Sequence, residues 1–364
     1  MYKSMRLSFL LSTAGLLFYS LILTDLSTAC SRILWNTNSQ GVTVARSMDW
    51  DHPFGERLVI YPRGIQMQGE ADQNSLIWVS KYGSVGVVPF EFALKMLNYS
   101  SGKKMDPLVD GDMEGINEKG LAAHLLYLHI TRYEERDSRR PGVTYLRWLR
   151  FVLDNFETVK DAVAALRDVQ VVPVEIGGME YPLHMAIEDP SGDSAIIEFI
   201  YGNMVIHHGR EHTVMTNEPP YPVQLANLKR YRPFGGTIER LPGGVEPLDR
   251  FVRASTFLKT LPEPKDQTEA VAYLYSVIRN VSVPFGASYR SGPGAGTYPT
   301  WWTSATDLKD RLFYFNWTSN PNVVWVNLNE VDFGVEKPVR FLDPRQTDLV
   351  GNVTGKFVPA PIGK

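Results

Sequence analysis

Two pairs of predicted helices interrupt a sequence whose remaining segments have the character of strands. Apolar spacing predicts the first pair at 145–156 and directly after Thr158, and the second pair at 248–258 and directly after Asp266. Strand-like runs separated by turn residues precede, divide and follow these pairs. This order differs from the strict alternation of a parallel α/β sheet. It favours antiparallel sheets with helices packed on their outer faces.

A hairpin is predicted near the start of this strand-rich region. Its strands are expected at 32–35 and 42–46, with a polar turn between them. Antiparallel pairing would place Cys30 at the start of one strand and Arg46 and Asp49 at the end of its partner. A thiol, a cation and a carboxylate would therefore come together by local pairing alone.

Composition indicates an ordinary globular protein and excludes several classes of function. The chain has 364 residues, of which 44% are hydrophobic and 21% charged, and residues 30–364 are expected to form one large domain. A formal net charge of −3 gives no electrostatic footprint for nucleic acid. One cysteine excludes an intramolecular disulfide and a multi-thiolate site, and the seven histidines include no His-Glu-x-x-His motif. No metal or other cofactor is expected.

Residues 1–29 have the three-part build of a secretory signal peptide. Lys3 and Arg6 precede a mostly apolar run at 7–23, and small residues lead up to Ala29. Cleavage after Ala29 would release a secreted or periplasmic protein that begins with Cys30. Two alternatives remain open: an uncleaved membrane anchor, and a lipoprotein signal that would turn the protein into a lipid-anchored binding module.

Cleavage would give Cys30 both a thiol and a free α-amine, a nucleophile and its base in one residue. An α-amine has an ordinary pKa of about 7.7–8.0, whereas a thiol at about 8.5 needs assistance. Arg46 would favour the thiolate, and Asp49 would accept hydrogen bonds that orient the ammonium. In the alternative interpretation, Arg46 and Asp49 are an ordinary surface pair at the end of a strand.

Four segments, taken in order, resemble the choloylglycine hydrolase family of N-terminal-nucleophile hydrolases. They are the Ala-Arg-Ser-Met-Asp-Trp run at 45–50, Asn-Glu-Lys-Gly-Leu at 117–121, Thr-Asn-Glu-Pro at 216–219, and Arg250. That family contains penicillin V acylases and bile salt hydrolases. The resemblance implies a four-layer αββα sandwich of two stacked antiparallel sheets, which is an α+β fold, and it also suggests a homotetramer.

The resemblance also implies roles for individual residues. Cys30 would be the nucleophile and, through its amine, the base. Arg46 and Asp49 would set its ionisation and orientation, and Arg250 would support the pocket. The side chain of Asn217 would donate to the oxyanion, although Asn217 taken alone could equally be a turn residue before a proline.

Two aromatic residues bear on the substrate. The second oxyanion donor is expected to be a backbone N–H near Tyr127, and Tyr127 stands where bile salt hydrolases carry asparagine. Trp50 and the export signal resemble the Gram-negative branch of the family, whose members also accept N-acyl homoserine lactones, a quorum-quenching activity. The expected substrates are therefore small acyl amides, penicillin V and N-acyl homoserine lactones, with bile salts and N-acyl amide lipids as the alternatives. The processed protein is not expected to stay on a membrane.

Overall fold

A computed structural model describes residues 30–97, 105–288 and 296–360. The predicted signal peptide lies outside these residues. The described α-helices are α1 Phe90–Met96, α2 Tyr145–Asn155, α3 Val159–Leu166, α4 Tyr221–Leu228, α5 Pro247–Thr260 and α6 Gln267–Val281, and short 3-10 helices occupy Arg232–Phe234, Leu328–Glu330 and Thr354–Lys356. Within the described ranges, no helix combines the length and the apolar character needed to cross a membrane.

Most of the remaining regular structure is β-strand. In chain order the described strands are β1 Ser31–Trp35, β2 Thr43–Asp49, β3 Arg57–Tyr61, β4 Gln66–Gln68, β5 Ile77–Val79, β6 Ser84–Val88, β7 Glu114–Asn117, β8 Ala122–Tyr127, β9 Gly142–Thr144, β10 Gln170–Val172, β11 Leu183–Glu188, β12 Ser194–Ile200, β13 Asn203–His208, β14 Val214–Thr216, β15 Thr300–Asp307, β16 Leu312–Trp317, β17 Val324–Asn327, β18 Arg340–Leu342, β19 Gly351–Asn352 and β20 Val358–Pro359.

Two large sheets form the middle of the protein. Sheet 1 has the strand order β14-β1-β2-β15-β16-β17-β19, and sheet 2 has the order β13-β12-β11-β8-β7-β6-β3-β18-β20. Their pairings are antiparallel except for β17 with β19. Helices α5 and α6 contact sheet 1, while α2 contacts β7 and β8 of sheet 2. The expected α+β fold of two stacked, largely antiparallel sheets with outer helices is confirmed.

Side chains alternate along the strands, so each sheet has one face toward the other sheet and one toward helices. Leu34 and Val44 of sheet 1 pack with Leu58 and Val85 of sheet 2. Ile33, which neighbours Leu34 in the chain, packs instead with the side chains of α5 and α6. Alternate side chains of β1 therefore pack into two different hydrophobic cores.

All four predicted helices are present. Thr158 accepts a hydrogen bond from Asp161 N at the start of α3, and Asp266 accepts one from Glu269 N at the start of α6, as expected for N-caps. Helices α1 and α4 were not predicted. Helix α1 has seven residues, and α4 begins directly after Pro220, in a segment that favours a turn.

The turn between β7 and β8 is fixed onto the end of α2 by one asparagine. The buried Asn117 side chain donates to Leu153 O (2.9 Å) and Phe156 O (2.7 Å), and its Oδ1 accepts from the backbone N of Lys119 and Leu121. The carbonyls at a helix C-terminus lack partners within the helix. The Asn117 side chain therefore donates hydrogen bonds to two carbonyls at the end of α2 while it closes the hairpin turn.

We expect Asn117→Ala to lower the free energy of unfolding by about 2–4 kcal/mol, because it leaves buried carbonyl and amide groups without partners. Denaturant unfolding monitored by tryptophan fluorescence measures this loss. The control is Asn203→Ala, since the exposed Asn203 donates to Tyr201 O at 3.0 Å. Equal losses in the two variants would contradict the anchoring role.

Candidate active site

The predicted hairpin places Cys30 immediately before β1. The pairing of Ser31 with Ser47 and of Arg32 with Arg46 brings the start of β1 beside the end of β2. Cys30 is 4% exposed, and its Sγ lies 3.8 Å from Asp49 O. The expected proximity of Cys30 to the end of β2 is confirmed.

Two distant side chains hold the backbone of Cys30. Its N–H donates to Asn217 Oδ1, and its carbonyl accepts from Arg250 Nη1 at 2.7 Å. Arg250 also donates to Ser31 Oγ (2.6 Å) and to Asn217 Oδ1 (3.1 Å). Asn217 follows β14, which pairs with β1, and Arg250 lies on α5. Both side chains are fully buried, so the peptide of Cys30 is tightly fixed.

Asp49 lies beside this group and is held by hydrogen bonds of its own. Its Oδ1 accepts from Thr300 Oγ1 (2.6 Å), its Oδ2 accepts from Ser47 Oγ (3.3 Å), and Arg250 Nη1 is 4.0 Å from Oδ2. The backbone N–H of Cys30 donates to Asn217 Oδ1, and the orienting role of Asp49 toward a free ammonium stays a prediction. Asp49 and Ser47 alternate with Arg46 and Met48 along β2, which directs them toward α5.

Arg46 occupies the opposite face of β2, between the sheets. Its guanidinium donates to Leu125 O at 2.7 Å and to Met113 O, and its Cζ lies 5.0 Å from the ring centroid of Trp302. It is buried, so it is not a surface partner of Asp49. The surface-pair alternative is thereby excluded.

Burial dominates the ionisation of the site. It raises the pKa of the Cys30 thiol, although the charges of Arg46 and Arg250 and the hydrogen bond to Asp49 O act in the opposite direction. Burial also raises the pKa of Asp49 to about 7, against the nearby Arg250 and the hydrogen bonds from Thr300 and Ser47. The two arginines therefore reduce the cost of a thiolate but do not make it the resting form.

The side chain of Asn217 and the peptide of Tyr127 are the expected oxyanion donors, and they lie in contact beside Cys30. Asn217 Nδ2 donates one hydrogen to Tyr127 O at 2.7 Å, which leaves its second hydrogen available to a ligand. Leu128 N donates to Pro182 O, which lies on the side of β11. Backbone groups of successive strand residues point to opposite sides, so the N–H and the carbonyl of Tyr127 point away from β11, and this carbonyl accepts from Asn217. Asn217 and the Tyr127 peptide are thus neighbours, and their role as oxyanion donors stays a prediction.

An aromatic cavity of about 110 Å³ opens next to Cys30. Trp50 and Tyr127 form one wall, with ring centroids 5.5 Å apart at 68°, and Phe54 continues it toward Phe92. Most of the other lining side chains are apolar or aromatic, and Arg46 and Asp112 add two ionisable groups; the former are Met48, Pro89, Met105, Met113, Leu125, Tyr145, Leu146, Ile176, Tyr181 and Leu183. The cavity suits a small apolar or aromatic group.

Three polar residues of the site were missed by the sequence interpretation or given no role in it. Thr300 binds Asp49 from a position 251 residues away, and no local motif marks it. Ser47 could have been found, because it shares the face of β2 with Asp49. Gln224 donates from Nε2 to Asn217 O (2.8 Å) and Pro219 O (2.6 Å) and so holds the segment that presents Asn217.

This fold and site define a hydrolase of linear amides. The sequence model of the linear amide C–N hydrolases, choloylglycine hydrolase family, matches residues 30–341. A penicillin V acylase from Pectobacterium atrosepticum is 34% identical over 359 residues, which cover 92% of this chain and 91% of that protein. The chain therefore belongs to the choloylglycine hydrolase family and is a linear amide C–N hydrolase.

Solved structures agree with this assignment. The structure of penicillin V acylase from Agrobacterium tumefaciens is 36% identical, with a TM-score of 0.77 over 91% of this chain and 98% of that one. A mutant conjugated bile acid hydrolase from Clostridium perfringens shares the fold at 20% identity, with a TM-score of 0.69 over 86% of this chain and 96% of that one. The family resemblance expected from the sequence is confirmed.

The pKa of Asp49 predicts how stability depends on pH. A folded-state pKa of about 7 lies above the ordinary value of about 3.9, so the folded protein keeps a proton that the unfolded chain releases between about pH 4 and 7. Wild-type stability should fall as pH rises through this window. Asp49→Asn should flatten the dependence and be more stable than wild type at pH 8, by an amount on the order of 2–4 kcal/mol.

Denaturant unfolding at pH 4.5, 6 and 8 tests this expectation. Asp168→Asn, at an exposed position, is the matched control and should follow the wild-type dependence. Parallel curves for Asp49→Asn and wild type would show that Asp49 is ionised in the folded protein.

Proposed function

We propose that the protein is a cysteine amidase that begins at Cys30 and removes the acyl group from penicillin V and from N-acyl homoserine lactones. The observation that carries this proposal is the set of contacts around Cys30. Its N–H, its carbonyl and its Sγ each meet a buried partner, namely Asn217, Arg250 and the carbonyl of Asp49, beside an apolar cavity. Such contacts fix a nucleophile relative to a bound acyl group.

In this mechanism the α-amine of Cys30 takes the proton of its own thiol. The Sγ then attacks the amide carbonyl carbon, and the oxyanion receives hydrogen bonds from Asn217 Nδ2 and the N–H of Tyr127. The Cys30 ammonium passes its proton to the leaving amine, which breaks the C–N bond and leaves a thioester. Water, activated by the same amine, hydrolyses the thioester and frees the thiol and the acid.

The contacts also support roles for the charged residues. Asn217 Oδ1, which accepts from Cys30 N, would orient the amine after processing, and Arg250 would hold Asn217 and the Cys30 carbonyl in place. Arg46 would lower the free energy of the thiolate during attack. Asp49, held by Thr300 and Ser47, would keep the end of β2 against Cys30.

The cavity favours a small acyl group. Its volume of about 110 Å³ is of the order of the ~150 Å³ that accommodates one benzene ring in an apolar protein cavity. A phenoxyacetyl group or a medium acyl chain matches that scale better than a four-ring steroid. The aromatic wall of Trp50, Phe54 and Tyr127 favours the same groups, and two penicillin V acylases are among the similar proteins.

We expect the wild-type enzyme to hydrolyse penicillin V and an N-acyl homoserine lactone faster than a glycine-conjugated bile acid or a fatty acyl amide. Release of the free amine measures each rate. Cys30→Ser should keep the melting temperature and lose most turnover, because a hydroxyl is a much poorer nucleophile near neutral pH. Wild-type rates in that variant would reject the mechanism, and faster cleavage of the bile acid or the fatty amide would reject the substrate assignment.

The proposal requires processing and export. Residues 1–29 carry the signal-like pattern, and the match to the family begins at residue 30. We expect intact mass and N-terminal sequencing of protein recovered from the periplasm to show a chain that begins with unmodified Cys30. Residues retained before Cys30, or a lipid attached to it, would mean that the α-amine is never free, and the mechanism would have to be abandoned.

A further inference from the structure

A row of buried ionisable side chains joins the two sheets outside the cavity. The ring of His124 on β8 lies between two carboxylates, with Nδ1 3.0 Å from Glu114 Oε2 and Nε2 2.6 Å from Glu188 Oε1. The three side chains have exposed fractions of 2%, 0% and 0%. None of them lines the cavity, and the proposed mechanism uses none of them.

Both carboxylates also bind side chains of sheet 1. Glu188 forms an ion pair with Arg32 of β1, and Arg32 Nη2 also donates to Ser194 Oγ at 2.9 Å. Glu114 Oε2 accepts from Ser304 Oγ of β15 at 2.9 Å. Arg32 lies two residues after Cys30, and Ser304 pairs with Arg46. The row therefore attaches to sheet 1 beside the residues that form the site.

The same row adjoins the contacts of Arg46 with sheet 2. Arg46 donates to the carbonyls of Met113 and Leu125, which directly precede Glu114 and directly follow His124 in the chain. Three residues after His124, β8 presents Tyr127, whose carbonyl accepts from Asn217. A shift of β8 relative to β1 would therefore move the Tyr127 amide relative to Cys30.

The hydrogen-bond geometry requires a charged ring if both carboxylates are ionised. A neutral imidazole has one N–H, so one carboxylate would face a lone pair, whereas an imidazolium donates to both. Burial alone lowers the pKa of His124, but the charge of Glu188 and the hydrogen bonds with Glu114 and Glu188 raise it above its ordinary value. The charged groups facing the row are Arg32 from β1 and Arg46 from β2, and Tyr275 of α6 lies near Glu114.

We propose that the His124 imidazolium, held between Glu114 and Glu188, is a positioning bridge that keeps β8 in register with the Cys30 strand, and that its deprotonation limits activity at alkaline pH. Its effect on turnover rests on the amidase function proposed above. Its effect on the Cys30 thiol and on stability does not.

Three variants and one control test the bridge. His124→Gln is neutral and has a single donor nitrogen, so it cannot reach both carboxylates, whereas His124→Lys keeps a charge to high pH. Glu114→Gln removes one carboxylate and keeps a hydrogen-bonding partner. His184→Gln is the matched control, because His184 is as buried on the adjacent β11 but lies 3.7 Å from one carboxylate, Glu198.

The first readout is stability against pH. A folded-state pKa of His124 above the ordinary value of about 6.5 stabilises the protein fully below that pH, and the contribution is lost as pH rises through the raised pKa. Wild type and His184→Gln should show this loss in addition to the loss attributed to Asp49, whereas His124→Lys should show only the Asp49 loss up to pH 9. Glu114→Gln should move the midpoint of the loss to lower pH.

The second readout is the site itself. Alkylation of Cys30, the one thiol in the chain, by iodoacetamide should change its pH midpoint in His124→Gln and keep it in His184→Gln. Turnover of penicillin V by His124→Gln should fall about tenfold to a hundredfold in kcat with little change in KM, and His124→Lys should restore most of it.

The outcomes separate the two proposals. Equal alkylation profiles and equal kcat in His124→Gln and His184→Gln would overturn the bridge, and so would an unchanged stability midpoint in Glu114→Gln. If His124→Gln does not fold, the comparison of Glu114→Gln and His124→Lys with wild type decides instead. Absence of amide turnover by the wild type would reject the amidase proposal, while the alkylation and stability measurements would still decide on the bridge.

Discussion

The arrangement of the site depends on the hydrogen bonds that the guanidinium of Arg250 donates. This guanidinium is fully buried, and a buried charge is tolerated when partners occupy its donors. Those partners are the carbonyls of Cys30 and Val245, Ser31 Oγ and Asn217 Oδ1, with Asp49 Oδ2 at 4.0 Å. One side chain on α5 thus ties together β1, β2 and the segment after β14. Moving β1 or the segment after β14 would leave a donor of a buried cation without a partner.

Exclusion of water sets the chemistry of the same group. Burial raises the pKa of both the Cys30 thiol and Asp49, and neither arginine fully offsets it. A thiol in that state needs a base beside it, and an α-amine on the same residue supplies one without a second catalytic side chain. The proposed processing at Cys30 therefore provides the base that the buried thiol requires.

Much of the fold and part of the site could be predicted from local patterns. Periodic apolar residues and N-caps identified four helices, and the first hairpin correctly placed Cys30 beside the end of β2. Helices α1 and α4 were missed because the first is short and the second follows prolines. The contact of Asp49 with Thr300 and its closeness to Arg250 could not be predicted, because strand alternation directs its side chain toward residues that lie far away in the sequence.

The sequence alone indicated the family through the resemblance of four segments, and local spacing along the chain predicted four of the helices, the first hairpin and the residue types of the site. Only the tertiary structure decided which residues meet across 187 and 220 positions, as Cys30 does with Asn217 and Arg250. It also showed that Thr300 completes the surroundings of Asp49 and that His124 lies between Glu114 and Glu188. Periodicity tells which face of an element is buried, but the groups that cover that face, and hence the pKa values within it, depend on distant segments packing together.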